Sequence, residues 1–304
     1  MKQVRFLIIA LLFGGLLWGG PASADALKMK PFVLASTATG DLTSVSASII
    51  SKLESSGFQI AGSYTPYPTA MVIAVTSNAL KAAAAKTKFG GYGAAMRISL
   101  TDIDGKIQVA YTNPPYMAAA YQMAGDLKAT EAKLRQALGK GQEFGPEDGM
   151  NKEDLSDYHY MFGMEYFGDQ TLLNTFIDHK LAVDTVEKNL ARGVMGVTKV
   201  YRIDIPGTKD VVFGVAMNGK KGGGDDQDDT FIMKEIDFKA TRSTAHLPYE
   251  ILVSDDKAYA PSARFRIAIN FPDLAMMGPN SFMNIMGAPD AIAKALGGVA
   301  NPHF

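Results

Sequence analysis

The sequence predicts an α+β protein built from two related units, each an antiparallel sheet backed by helices. Three observations carry this reading: alternating or β-branched runs joined by turn signals, apolar stripes at helical spacing with capping residues, and the recurrence of that succession. The strand-helix-hairpin-helix-hairpin-helix order returns at an offset of roughly 140 to 157 residues, as in a diverged tandem duplication.

In the first unit, Pro31 to Ala35 predicts a short strand. Asp41 or Thr43 caps a helix whose apolar face is Leu42, Val45, Ile49 and Leu53, ended by Gly57. Phe58 to Tyr64 and Ala70 to Val75 form two strands joined across Pro66-Tyr67-Pro68-Thr69. Asn78 to Lys86 is a helix capped by Ser77 or Asn78, and Gly90, Gly91 and Gly93 form a flexible link. Met96 to Thr101 and Lys106 to Tyr111 make a hairpin about Asp104-Gly105, a strong two-residue turn signal. Asn113-Pro114-Pro115 opens another helix, and Ala129 to Leu138 closes the unit.

Residues 139–157 are rich in glycine and acid and read as a linker between units 25–138 and 158–304. In the second unit, Tyr158 to Phe167 alternates as a strand. Val183, Val186 and Leu190 form a helix face that ends at Gly193, and Val197 to Ile205 pairs with Val211 to Met217. The acidic, Gly-rich stretch 219–229 is an insertion in place of the Ala-rich helix, with Thr230 to Phe238 as an extra strand. Tyr249 to Ser254 and Arg264 to Asn270 form the last hairpin, after which Asn270-Phe271-Pro272 opens a helix.

The segment ahead of the first unit is an address. Lys2 and Arg5 precede an uncharged apolar run, Phe6 to Trp18; Pro21 breaks it, and Ala22-Ser23-Ala24 offers a signal-peptidase site. Residues 1–24 are therefore expected to be a cleaved export signal, with Asp25 leading the mature chain in a bacterial periplasm. Loss of Lys2 and Arg5 with no acid takes the formal charge from −1 to −3, which disfavours a nucleic-acid footprint. With no cysteine in an oxidising compartment, stability must come from buried cores. No later stretch is apolar and long enough to span a bilayer.

This layout resembles the small α+β domain catalogued as domain of unknown function 302. The likeness rests on Leu53-Glu54-Ser55-Ser56-Gly57-Phe58, the strand-to-helix run Met71 to Ala85, the hairpin Met96 to Asn113, and Leu247-Pro248-Tyr249-Glu250-Ile251. It implies sheets backed by helices and units that tend to pair. A tandem copy would meet that tendency as an intrachain pseudo-dimer, with a homodimer as a further arrangement. It implies no activity, catalytic residue or cofactor.

No catalytic set stands out: cysteine is absent, there is no Gly-x-Ser-x-Gly elbow, and no His-Glu-x-x-His occurs. Gly90-Gly91-Tyr92-Gly93 lacks the lysine of a phosphate loop. His159 and Met161 share one face of a predicted strand, where core packing is the expectation. Asp225, Asp226, Asp228 and Asp229 read as a solvated hairpin tip rather than a Ca²⁺ loop. Tyr64, Tyr67, Tyr92 and Arg97 of the first unit, with Arg242, His246 and Tyr249 of the second, are the candidate ligand-binding residues. The ligand is expected between the units, or beneath loops 90–94 and 240–248. The favoured reading is a non-enzymatic binding or accessory module that needs no cofactor. One alternative is a Cu(I)-handling protein using the soft thioethers of Met276, Met277, Met283 and Met286 with His303, although Met283 and Met286 have the spacing of a packed helix face. Another is an enzyme centred on His246.

Overall fold

The computed structural model describes residues 28–304, so the expected export signal and Asp25 lie outside the described residues. The chain is α+β, with two antiparallel sheets of six and five strands.

The first half follows the sequence closely. Strand β1 (Phe32–Ala38) leads into α1 (Leu42–Ser55), where the Asp41 carboxylate accepts from the Ser44 N–H. The buried stripe of α1 is Val45, Ile49 and Leu53, the predicted face. Strands β2 (Gln59–Tyr67) and β3 (Ala70–Thr76) pair, and Ser77 caps α2 (Asn78–Ala84). Strands β4 (Met96–Ile103) and β5 (Lys106–Thr112) form the hairpin about Asp104 and Gly105, both at positive φ as a tight hairpin requires. Helices α3 (Pro114–Ala120) and α4 (Lys128–Leu138) follow. The expected linker is more structured than its composition suggests: β6 (Gln142–Phe144) pairs with β1, and α5 (Lys152–Ser156) is capped by Asn151. Gly90–Ala94, expected to be a flexible link, is a fully buried 3-10 turn.

The second half departs from expectation at four places. Residues 158–167 form no strand; Met161 and Phe162 are exposed, and the edge strand is β7 (Thr171–Thr175) instead. Helix α6 (His179–Arg192), β8 (Val197–Asp204) and β9 (Asp210–Met217) stand as expected, with Gly193 closing α6 in the left-handed region. Residues 229–236, read as insertion tip and extra strand, form helix α7 (Asp229–Ile236), because Asp228 accepts from the Thr230 and Phe231 N–H groups. Strand β10 (Tyr249–Ser254) turns tightly into β11 (Lys257–Ala260), so Arg264 to Asn270 is free to be helix α8 (Ala263–Asn270). Turns, rather than the helix expected at Phe271, lead to α9 (Ala288–Val299).

The sheets share one strand succession. The first runs β2-β3-β4-β5-β1-β6 and the second, read from its other edge, β8-β9-β10-β11-β7. Each also shifts register at the same point of the corresponding edge pair, between Ile60 and Gly62 and between Lys199 and Tyr201, and the first pair shifts again between Tyr64 and Tyr67. Helices α1 and α4 cover one face of the first sheet, over Ile73, Ile98, Leu100 and Val109. Helices α6, α7 and α9 cover one face of the second, over Phe213, Val215, Ile251 and Val253. The remaining faces meet each other in a middle core that includes Ala74, Tyr201, Val212 and Leu252. Strand alternation sorts β4 accordingly: Ile98 and Leu100 face the helices, while Arg97, Ser99 and Thr101 face the other half.

The halves also exchange turns. Gly90–Ala94 lies against β9 and β10, and the 3-10 turn Thr244–His246 lies against β3, β4 and β5. The edge strands β2 and β8 also come close together: a Cβ on Gly62 would run into the Val200 carbonyl oxygen.

Candidate functional site

The expected ligand-binding residues divide between a sealed cluster and open clefts on either side of the β2–α7 contact. Arg97, His246 and Tyr249 meet in the sealed one, together with Glu250 and Arg266. All five are buried. The Arg97 guanidinium donates to Glu250 Oε1 and to the Ala245 carbonyl (3.0 Å), and Arg266 Nε donates to Glu250 Oε2 (3.1 Å). Arg266 also donates to the His246 and Pro248 carbonyls, at 2.6 and 2.9 Å, and to His246 Nδ1 at 3.0 Å.

Because Nδ1 accepts that bond, the network assigns the imidazole proton to Nε2, 3.2 Å from the Tyr249 hydroxyl. Burial, then the charges of Arg266 and Arg97, hold the His246 pKa well below the usual histidine value. The imidazole is therefore neutral, and two guanidiniums face one carboxylate. Both ring nitrogens are engaged and the residue has no exposed surface. This arrangement pins the turn Thr244–His246 to both sheets and presents no group to a solute. Tyr92 lies nearby in the same middle core, packed edge-on against Tyr121 and Phe167, again away from any cleft.

Tyr67 and Arg242 line one open cleft, of about 380 Å³, between β2–β4 of the first half and α7 with its following loop. Thr101, Lys234, Asp237 and Phe238 complete its main walls. Such a volume lies within the range of small-ligand sites. A chain of hydroxyls crosses the seam. Tyr67 and Thr101 each bond Thr244 Oγ1 at 2.9 Å, and Thr244 donates to Asp237 Oδ2 at 3.2 Å. The Ser243 N–H donates to Asp237 Oδ1 at 2.6 Å, while the Arg242 guanidinium bonds the Asp237 carbonyl. Burial pushes the Asp237 carboxyl up to about 6, opposed by the Ser243 bond and the Arg242 charge. Burial, then the Asp237 charge, pushes the Tyr67 phenol up to about 12. The cleft thus offers the cations of Arg242 and Lys234, backed by hydroxyls bonded to one another and by a carboxyl whose pKa burial raises.

Tyr64 stands on the other side of the β2–α7 contact, where its hydroxyl donates to Asp229 Oδ2 at 3.2 Å. Of the acidic run 225–229, Asp225 and Asp226 are exposed as expected of a solvated tip, but Asp229 is buried, and Asp228 caps α7 and also accepts from the Gly219 N–H at 2.7 Å. His159 is likewise outside the core, its ring 4.4 Å from that of Tyr166.

Met276, Met277, Met283 and Met286 are exposed, contrary to the packed face expected for Met283 and Met286. The Met283 N–H donates to the Met276 carbonyl at 3.1 Å, which brings those two positions together. His303 stands beyond the opposite end of α9, and a helix of that length separates it from Met286 by roughly 18 Å. The methionines share one loop, and the histidine lies at the other end of α9.

Sequence reasoning missed Glu250, Arg266 and Asp237, and took Asp229 for part of a solvated tip. A single charge inside an apolar run was the available signal: Glu250 in YEILV, Arg266 in FRIAI, as for Arg97 in MRISL. Such a charge must find a partner when the run is buried. No protein-family model, curated protein or solved structure matches the chain.

Proposed function

We propose that this chain is an exported binding or accessory module that holds a small polar solute in the cleft between its halves. The observation that carries the reading is the cleft itself. Both halves line it, and Arg242 and Lys234 offer donors to an anionic or hydroxyl-rich solute. The test is a thermal-shift screen of small acids and polyols, since a ligand of the folded state raises the melting temperature by mass action. A hit that Arg242→Ala and Lys234→Ala both weaken at least tenfold supports the reading. A screen without hits, or hits indifferent to both substitutions, sinks it.

Two further parts of the reading rest on the same chain. The run Phe6 to Trp18 and the Ala22-Ser23-Ala24 site support export to the periplasm. The shared strand succession and paired bulges support a duplicated unit whose copies form an intrachain pseudo-dimer.

The exposure of four thioethers favours a second reading, soft-metal handling by the loop that carries Met276, Met277, Met283 and Met286. Metal analysis after anaerobic loading with Cu(I) decides it: about one ion per chain, lost on replacing the four methionines by leucine, supports it. Loading that the replacement leaves intact removes it.

A further inference from the structure

A second cavity, of about 480 Å³, opens on the far side of the β2–α7 contact from the cleft. Tyr64, Thr65 and Pro66 of the first half form one wall. The end of α6 with Arg192, strand residue Thr198, and Asn218 with Lys221 form the rest, and Asp229 lies at its floor. Asp229 is 3% exposed, and only one of its oxygens is engaged: Oδ2 accepts from the Met217 N–H (3.1 Å) and the Tyr64 hydroxyl (3.2 Å). Oδ1 has no hydrogen-bond partner among the described residues. A buried carboxylate oxygen without a donor is costly. It is best met by a donor that arrives with a ligand.

The opposite charge is also present. Lys221 lies at the mouth with no carboxylate within ion-pair distance among the described residues, and Arg192 stands beside it, anchored by one nitrogen to the Phe304 backbone oxygen at 2.6 Å. Pro66, Ala191, Ala216 and Met217 supply apolar surface to the same cavity, suited to a side chain. An acid at depth and cations at the rim match a molecule that carries both charges in the reverse order.

We propose that this cavity binds a free α-amino acid, its ammonium group on Asp229 and Tyr64 and its carboxylate on Lys221 and Arg192. The site is separate from the cleft of the proposed function and stands without it. Burial pushes the Asp229 carboxyl up to about 7, so an ammonium that selects the ionised form must release a proton when it binds near neutral pH.

The test is calorimetric titration of the purified chain at pH 6.5 with each of the common L-amino acids, and with putrescine and acetate as probes of one charge sign. The expected result is binding of at least one amino acid with Kd below about 1 mM, at least tenfold tighter than putrescine or acetate. Its enthalpy should change with the ionisation enthalpy of the buffer, reporting the released proton. Asp229→Asn should abolish the proton release and weaken binding at least tenfold, and Lys221→Ala should weaken binding without abolishing the release. Thr198→Trp, which fills the cavity from an exposed strand position, should block binding and leaves the buried carboxylate untouched. Arg242→Ala in the other cleft should change nothing, which separates failure here from failure there. Absence of binding by every amino acid, or binding that neither Lys221→Ala nor Thr198→Trp weakens, overturns the proposal.

Discussion

Arg97 and Glu250 hold matching positions in the two sheets, and their side chains pair across the seam. Arg97 stands opposite Ala74, whose β2 partner Gly62 follows one bulge; Glu250 stands opposite Gly214, whose β8 partner Tyr201 follows the other. The match extends outward. Arg97 Nη2 is 4.0 Å from the Met117 sulfur, four residues past the α3 cap, and Glu250 bonds Arg266, four residues past the α8 cap. Glu250→Gln would leave two buried guanidiniums without a countercharge. The expected loss is about 3–5 kcal/mol of stability, read from the denaturant midpoint. Arg97→Met, which restores apolar volume beside Met117 and leaves the Glu250–Arg266 pair, should cost distinctly less.

The two buried aspartates set one arm of the pH profile. Their folded pKa values, about 7 for Asp229 and about 6 for Asp237, exceed the unfolded value of 3.8. The folded state therefore holds more protons than the unfolded chain between roughly pH 4 and 7, and stability falls as pH rises through that window. Asp237→Asn should flatten the fall by about 2 kcal/mol or more, seen as a variant-minus-native difference in melting temperature that narrows from pH 4.5 to pH 7.5. A difference constant with pH refutes the assignment.

His246 acts in the opposite sense. Its folded pKa is depressed, so below the unfolded value of about 6.5 the unfolded chain takes up a proton that the folded one refuses. Stability conferred by the neutral imidazole is lost as pH falls from 6.5. His246→Gln should remove that loss: relative to the native chain, the variant should fare better at pH 5 than at pH 7.5 in urea titrations.

Gly62 faces a backbone rather than a side chain, so relief must come from the seam itself. Gly62→Ala should cost at least about 2 kcal/mol, by analogy with other overpacked sites. Gly105→Ala tests specificity of the effect: no atom lies near its Cβ, and its cost should be only that of a positive φ. Equal losses for the two would show that the strands yield.

Export makes its own forecast. When the complete chain is produced in a Gram-negative host, protein recovered by osmotic shock should begin at Asp25 by N-terminal sequencing. Recovery only from the cytosol with Met1 intact would be the contrary result.

The first half was legible in nearly every element because its punctuation is local: Asp41, Ser77, Asp104-Gly105 and Asn113-Pro114 each mark a boundary by a mechanism that acts within four residues. The second half misled where burial is all-round. Arg264 to Asn270 alternates in sequence, yet Phe265, Arg266, Ile267, Ala268 and Ile269 are all buried in α8, so alternation there carries no message about a solvent face. Tyr158 to Phe167 has the aromatic alternation of a strand but pairs with neither sheet. The same limit applies to the candidate site. Tyr67 and Arg242 were reachable as unusual polar groups in loops, but whether Arg97 and His246 face a cleft or a seam depends on packing between distant segments.

The exchanged turns bear on how the chain comes together. Gly90–Ala94 completes the environment of β9 and β10, while Thr244–His246 completes that of β3 to β5, so each half is the template on which the other finishes. Contacts of this kind are long in sequence and slow to form. Their energy, once formed, does not depend on an unbroken peptide between the halves. Two fragments divided at the acidic stretch near Asp148 should therefore reassemble when mixed, each supplying the other's missing turn.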